Sequence, residues 1–196
     1  MVVGLPRWLS PTVAALLIVT LVLSLGGALA EGFGALALVP ASVWAGEVWR
    51  LATWTFAVPG PHGLVFVGVV LYGCGGGLAQ AWGEQRLRRF VAAVIGIAGG
   101  GTLALATLFP LAHRLPYFGA WALADALVIA WALEFPERRV RFYSLVSVGG
   151  PLLAYATAGL TVLAAAYVGP MFLLPELLAA TTALAWMSAR DALVRG

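Results

Sequence analysis

Two carboxylic acids lie inside apolar segments and are the first residues that could do chemistry. Asp125 stands within the run 117–133, and Glu176 follows Pro175 near the start of the run 171–189. An ionisable group inside a membrane segment is costly, so it indicates either a function or a buried partner. For Asp125 the alternatives are a hydrogen-bonded carboxyl packed among small residues and a contact with a client protein. For Glu176 the main alternative to a function is capping of a helix start, where the helix dipole favours a carboxylate.

The other reactive side chains form no recognisable catalytic or metal-binding motif. Histidine occurs only at His62 and His113, where water or the backbone can satisfy the rings, and we predict no metal site from them. A single cysteine, Cys74, excludes a disulfide framework and a thiolate cluster. The sequence has no phosphate loop, dinucleotide-binding fingerprint or zinc motif. We therefore expect no cofactor.

The composition determines what kind of protein carries these groups. The chain is 62% hydrophobic and only 10% charged, and its mean hydropathy is +0.99. Soluble domains have roughly 45–50% apolar and about 25% charged residues. Since 196 residues are enough for one domain, we treat residues 1–196 as a single unit whose apolar surplus faces lipid. The arginines cluster between apolar runs, so they predict membrane orientation and not nucleic-acid binding.

Six apolar runs are long enough to cross a bilayer as helices. The predicted fold is therefore an all-α membrane protein, a bundle of six transmembrane helices. The runs cover residues 12–30, 63–81, 90–109, 117–133, 142–168 and 171–189. The first run is longer than a typical signal-peptide core of about 7–15 residues, so we expect it to remain as a membrane anchor.

Arginine counting predicts the orientation. With the N-terminus inside, nine arginines lie on the inner side and two, Arg50 and Arg114, on the outer side. Positive residues concentrate on the cytoplasmic side, so both termini are predicted to be cytoplasmic. Lys and Asn, which have A/T-rich codons, are absent from the sequence. This absence suggests a GC-rich bacterial genome, and the predicted location is the bacterial cytoplasmic (inner) membrane.

Two local patterns predict packing. The outer connection 31–62 is rich in Trp and Leu, so we expect it to lie partly in the membrane interface. Within it, residues 46–51 are predicted to form a short helix, with Arg50 bonded to backbone carbonyls. Gly73 and Gly77, like Gly96 and Gly100, have the small-xxx-small spacing that lets helices pack closely in lipid. We expect these glycines to pack inside the bundle, with a homodimer face as the alternative.

Several short motifs occur in order between Ala45 and Phe142. They are Gly46-Glu47-Val48-Trp49-Arg50-Leu51-Ala52-Thr53 and His62, Trp82-Gly83 with Arg86 and Arg88, Gly119-Ala120-Trp121-Ala122, Phe135-Pro136 and Arg139-Val140. In these motifs the chain resembles the rhomboid family of intramembrane proteases. The resemblance implies a rhomboid-like bundle of six helices with an interfacial loop between the first two.

The resemblance also implies that the catalytic residues are missing. At residues 119–122 the family carries the motif Gly-x-Ser-Gly. The chain has the first glycine, Gly119, but Trp121 stands in place of the serine and Ala122 in place of the second glycine. The family's histidine aligns with Glu176. Because nucleophile and base are both absent, the activated nucleophile of acyl transfer cannot be assembled. The resemblance therefore predicts a pseudoprotease and no enzyme activity. Trp121 is expected to lie inside the bundle and to fill the former catalytic cavity.

The predicted function is binding of transmembrane helices of a client or partner protein, in contact with the lipid bilayer and without nucleic acid. Arg50, His62 and Asp125 are the residues expected to brace the structure or to meet the partner. One alternative is a structural or assembly subunit of a larger bacterial membrane complex. A transporter would need more membrane polar residues than the two carboxyls. An active intramembrane serine protease is a less favoured alternative. An enzyme of altered chemistry would need a nucleophile such as Ser144 or Ser147, which lie at the inner end of the fifth run and far from Trp121.

Overall fold

The computed structural model describes residues 10–30, 32–142 and 146–195 of the chain. This part of the chain is almost entirely helical. Its α-helices are α1 (Pro11–Leu29), α2 (Pro40–Trp44), α3 (Arg50–Thr53), α4 (Pro61–Val70), α5 (Gly76–Trp82), α6 (Glu84–Ala106), α7 (Ala120–Glu134), α8 (Gly150–Val168) and α9 (Leu174–Arg195). A π-helical turn, Leu71–Gly75, joins α4 to α5, and short 3-10 turns occupy Ala112–Arg114 and Pro170–Phe172.

The helix boundaries follow from residues that start or stop a helix. The side chain of Ser10 accepts a hydrogen bond from Val13 N–H at the start of α1, as an N-cap serine does. Proline at the first turn starts α4, where its fixed φ suits a helix and its missing N–H costs nothing. Gly83, at a φ of 79°, separates α5 from α6, because a side chain is disfavoured in that conformation.

Among the described residues, four helices are long and apolar enough to cross a membrane: Pro11–Leu29, Pro61–Trp82, Glu84–Ala106 and Gly150–Val168. A membrane protein with several spans is thereby supported, but the predicted count of six is not reproduced. The helix in the predicted fourth span, α7, has 15 residues and is about 22 Å long, which is shorter than the roughly 30 Å hydrocarbon core. The helix in the predicted sixth span, α9, has 22 residues but carries charged residues at both ends.

The sequence-based prediction started the fifth helix at residue 142, which is too early. Residues Arg139–Phe142 (β1) and Val146–Gly149 (β2) pair as an antiparallel hairpin, and α8 starts only at Gly150. Hydropathy averages did not separate the apolar second strand from the helix that follows it, because both are rich in apolar residues. Of the two serines considered for an enzyme, Ser147 lies in β2 and Ser144 lies outside the described residues.

The middle of the bundle is α7. It packs mainly against α8 and α9 and, on another side, against α4, the π-helical turn and α5. Most of its residues are buried, and they are largely small: Ala120, Ala122, Leu123, Ala124, Ala126, Leu127, Ile129, Ala130 and Ala132. By contrast, α1 and α8 expose many large apolar side chains on their outer faces. This arrangement gives the bundle a lipid-facing surface and explains how a short helix fits inside it.

The connection between α1 and α4 is tied to the bundle by backbone hydrogen bonds and is held together internally by Arg50. Leu38 and Tyr117 form an isolated antiparallel bridge, with N–H to O=C distances of 3.0 and 2.9 Å. The guanidinium of Arg50 donates to the carbonyls of Gly34 and Ala37, the latter at 2.8 Å, and to the Glu47 carboxylate at 2.6 Å. The predicted helix over 46–51 is wrong. Two shorter helices, α2 and α3, form instead, because Gly46 adopts a φ of 107° between them.

The glycine pairs predicted to pack inside the bundle mostly do not. A β-carbon added at Gly73, Gly96 or Gly100 would meet open space. Gly77 is the exception, because a β-carbon there would come within 2.7 Å of Trp131 Nε1. Other close approaches occur at glycines outside the two pairs. A β-carbon at Gly99 would come within 3.3 Å of Trp54, and one at Gly101 within 2.8 Å of Leu178. Spacing alone does not reveal which face of a helix is turned inward.

Candidate functional site

One face of α7 is left open between α4 and α8. Trp121 is exposed, and Asp125 and Val128 are half-buried, whereas the residues between them are buried. Positions i, i+4 and i+7 lie on one face of a helix. Both α4 and α8 pack on α7 but make no extensive contact with each other. We call this open face, with the sides of α4 and α8 that flank it, the lateral groove.

The Trp121 ring lies on the surface of the molecule and not in its interior. It is 43% exposed and stacks on Phe66 of α4, with ring centroids 5.0 Å apart and an angle of 25° between the planes. The prediction that Trp121 fills an internal cavity is therefore wrong. The fully buried tryptophan is Trp54, at 0% exposure.

Gly119 and Ala122 have structural roles at the start of α7. Gly119 donates its N–H to the carbonyl of Trp54 at 2.9 Å, and a β-carbon at Gly119 would overlap the Trp54 ring. Ala122 is buried, at 1% exposure. The small size of both residues is thus explained by packing against their neighbours.

Asp125 finds its hydrogen-bond partner on the neighbouring helix. The hydroxyl of Thr161, on α8, lies 3.1 Å from Asp125 Oδ2 and 3.0 Å from the carbonyl oxygen of Thr157. The hydroxyl carries one hydrogen, so it can fully satisfy only one of these acceptors at a time. The carboxyl therefore keeps hydrogen-bonding capacity that Thr161 does not use.

Glu176 lies in the first turn of α9, near the same end of the bundle. Its Oε2 atom is buried and has no hydrogen-bond partner in the part of the chain that the structure describes. It lies within electrostatic range of both Asp125 and Tyr117. Burial, with a further contribution from Glu176, raises the pKa of Tyr117 to about 12, and the Tyr117 hydroxyl donates to the carbonyl of Met171 at 2.7 Å.

The other residues singled out from the sequence lie apart from these carboxyls. Arg50 pairs with Glu47 in the outer connection, and His62 is exposed in the first turn of α4. Across residues 10–30, 32–142 and 146–195, no group of three His, Cys, Asp or Glu side chains is placed to hold a metal ion. Asp125 is thus bonded to Thr161, and Glu176 lies within electrostatic range of Asp125 and Tyr117. Neither Thr161 nor Tyr117 was predicted from the sequence as a site residue.

Comparison with known families now places the chain. The model of a family described as eukaryotic integral membrane protein (DUF1751) matches residues 12–189, which is nearly the whole sequence. The chain belongs to this family. No curated protein matches the sequence. The DUF1751 match confirms that this is an integral membrane protein.

Membership of DUF1751 corrects two predictions. The matching family is DUF1751 and not the rhomboid family. Two of the motifs behind the resemblance have local structural causes, since Gly119 makes room for Trp54 and Arg50 holds the outer connection together. The DUF1751 family is also described as eukaryotic, which overturns the bacterial inner membrane as the location. Codon bias inferred from two missing residue types was too indirect to fix the source.

Proposed function

We propose that this DUF1751 protein binds a transmembrane segment of a partner or client protein in the lateral groove and does so without catalysis. The observation that carries the proposal is the open, partly polar face of α7, where Asp125 stands between the flanking helices α4 and α8. An open groove with a carboxyl in it is costly against lipid. A partner helix would cover this surface and offer the carboxyl a donor.

The proposal includes a six-span architecture. In it, α7 and α9 cross the membrane together with the four helices that qualify by length and hydropathy. Because α7 is largely surrounded by other helices, it does not have to match the thickness of the lipid by itself. A bilayer can also thin around a short segment at modest cost.

The chemistry of the groove indicates what kind of partner segment fits. A polar side chain that bonds across two membrane helices contributes about 0.6 to 2 kcal/mol. The partner is expected to carry a hydrogen-bond donor, such as serine, threonine, asparagine or a basic residue, at the depth of Asp125. Small residues next to that donor would let its backbone approach the Trp121–Phe66 stack.

The absence of catalysis is part of the proposal, and it is supported by the hydrogen bonds that the hydroxyl groups of Thr161 and Ser24 already make. Hydrolysis by a covalent route needs a nucleophile within hydrogen-bond reach of a base. The partner of Asp125 is a threonine that also bonds its own helix. Ser24 donates to the Phe56 carbonyl at 3.2 Å and accepts from the Val58 N–H at 3.1 Å, so its hydroxyl is engaged in a structural contact.

A second candidate function is that of a permanent subunit of a membrane complex. The open glycines Gly96 and Gly100 on α6 favour it, because they offer a close-packing face to another helix. The two functions differ in stoichiometry. A permanent subunit purifies in a fixed ratio with its partner, whereas a client exchanges.

Site-specific photocrosslinking tests the proposal. A benzophenone amino acid placed at Val128 should form adducts with a membrane protein, and the adduct should map to a transmembrane segment of that protein. The matched control is the same probe at Ile18, on the exposed face of α1. Asp125→Leu should reduce the Val128 adducts severalfold. Equal protein adducts from Val128 and Ile18, or adducts only with lipid, would contradict groove binding.

A further inference from the structure

A depression beside the outer connection shares no lining residue with the lateral groove. Its volume is about 490 Å³, and it opens between α2, the end of α6 and the 3-10 turn Ala112–Arg114. The lining residues are Trp44, Ala106, Thr107, Pro110, His113 and Arg114. A volume of this size is within the range of about 300–1,000 Å³ that is usual for small-molecule sites.

The depression is lined by an arginine that pairs with no acidic side chain in the described residues. Arg50 is committed to Glu47 and to backbone carbonyls. Arg114 is exposed and has no ion pair in the described residues, and half-buried His113 lies next to it in the chain. An anionic group that enters the depression therefore meets a guanidinium and an imidazole whose donors are available.

The residues around the depression place it at the level of lipid headgroups. Leu108, Phe109 and Leu111, in the same connection, are exposed apolar side chains, which favour contact with hydrocarbon. Trp44 is 64% exposed on the depression's wall, and tryptophan is enriched at the boundary between hydrocarbon and water. A charged site in the same connection as exposed apolar side chains suits an amphipathic ligand.

We propose that the depression binds the phosphate ester of a membrane phospholipid headgroup. The planar guanidinium of Arg114 can pair with two phosphate oxygens at once, and His113 can donate to a third. Trp44 would then cover the glycerol and the first acyl carbons. This site is separate from the lateral groove, and it does not depend on whether the groove binds a partner helix.

The test uses the purified full chain in detergent, with thermal unfolding followed during titration with dihexanoylphosphatidylglycerol. The parent protein should gain stability in a saturable way. Arg114→Gln should raise the half-saturating concentration at least about tenfold, which corresponds to about 1.4 kcal/mol. Arg89→Gln is the control, because Arg89 is an exposed arginine at the opposite end of α6, and it should titrate like the parent. Arg114→Lys keeps the charge but lacks the planar guanidinium, so its half-saturating concentration should lie between those of the parent and Arg114→Gln. If Arg114→Gln fails to fold, Arg114→Lys replaces it in the test.

Two further ligands identify the source of the phosphate. Dihexanoylglycerol lacks the phosphate and should give no saturable gain. Glycerol 3-phosphate lacks the acyl chains and should bind at least tenfold more weakly than the lipid. Equal binding of glycerol 3-phosphate would overturn the lipid assignment in favour of a soluble phosphate ester. An Arg114→Gln variant that titrates like the parent, or an equal effect of dihexanoylglycerol, would overturn the phosphate site itself.

Discussion

The indole ring of Trp54 lies against the backbone of Gly119, at the place where any other residue would put its β-carbon. The two residues are also joined directly, since Gly119 N–H donates to the Trp54 carbonyl at 2.9 Å. Through this contact the connection between α1 and α4 is fixed to the start of the central helix α7. The connection is therefore part of the packed structure, although its composition resembles that of an interfacial loop.

Gly119→Ala should destabilise the protein, because the added methyl group overlaps the Trp54 ring. Overpacking of a tight site typically costs about 1–3 kcal/mol, which thermal unfolding in detergent can measure. The matched control is Gly100→Ala, a glycine inside α6 where a β-carbon meets open space, and this change should not lower the melting temperature. In a Trp54→Leu background, Gly119→Ala should cost less, because the smaller side chain leaves room for the added methyl group. Equal melting of the two alanine variants would show that the ring can move aside.

Three tryptophans at this end of the molecule, Trp54, Trp121 and Trp44, should differ sharply on truncation. Trp54→Ala empties a fully buried site, and the loss of a large aromatic core residue usually costs about 3–5 kcal/mol. Trp121→Ala and Trp44→Ala remove rings that are 43% and 64% exposed, so each should lower the melting temperature far less. Phe66→Leu should weaken any effect of Trp121→Ala, because the two rings stack. If Trp121→Ala were as damaging as Trp54→Ala, the surface position of Trp121 would be contradicted.

The sequence predicted the long apolar segments well, because bilayer thickness imposes a length and composition that a single helix must satisfy alone. The run 12–30 corresponds closely to α1, at Pro11–Leu29. The sequence predicted less well the features that depend on contacts between residues far apart in the chain. Trp54 and Trp121 have the same side chain, but Trp54 is internal because Gly99 and Gly119 pack against its ring. Likewise, Asp125 was evident as a buried carboxyl, but Thr161 became its partner only through the packing of α7 on α8.

Impermeant maleimide labelling tests whether α7 crosses the membrane. Cysteines are introduced singly at Pro116 and Glu137, both exposed and on either side of α7, after Cys74→Ala removes the single native cysteine. If α7 is a span, the two sites should react from opposite sides of sealed vesicles. Phe172→Cys and Ala189→Cys test α9 in the same way. Labelling of both members of a pair from the same side would exclude that helix as a span and with it the six-span architecture.

Thr161→Val should reveal the role of Asp125. The substitution keeps the shape of the side chain but removes the hydroxyl that lies 3.1 Å from Asp125 Oδ2. A buried polar group that loses its partner costs about 1–3 kcal/mol, so the melting temperature should fall. Thr157→Val is the matched control, because the hydroxyl of Thr157, four residues earlier on α8, bonds only the carbonyl of Leu153 in its own helix.

A double-mutant cycle separates the contact from other effects of the two changes. Asp125→Leu removes the carboxyl that Thr161 bonds, so Thr161→Val should cost much less in that background, with a coupling energy of about 0.5–2 kcal/mol. Crosslinking from Val128 supplies the second readout. If Asp125 is purely structural, Asp125→Asn and Thr161→Val should leave the Val128 adducts unchanged in every variant that still folds. If Asp125 binds the partner, Asp125→Asn should lower the adducts while stability stays near the parent value, because the amide oxygen still accepts from Thr161 but bonds a donor on the partner helix less strongly than a carboxylate does.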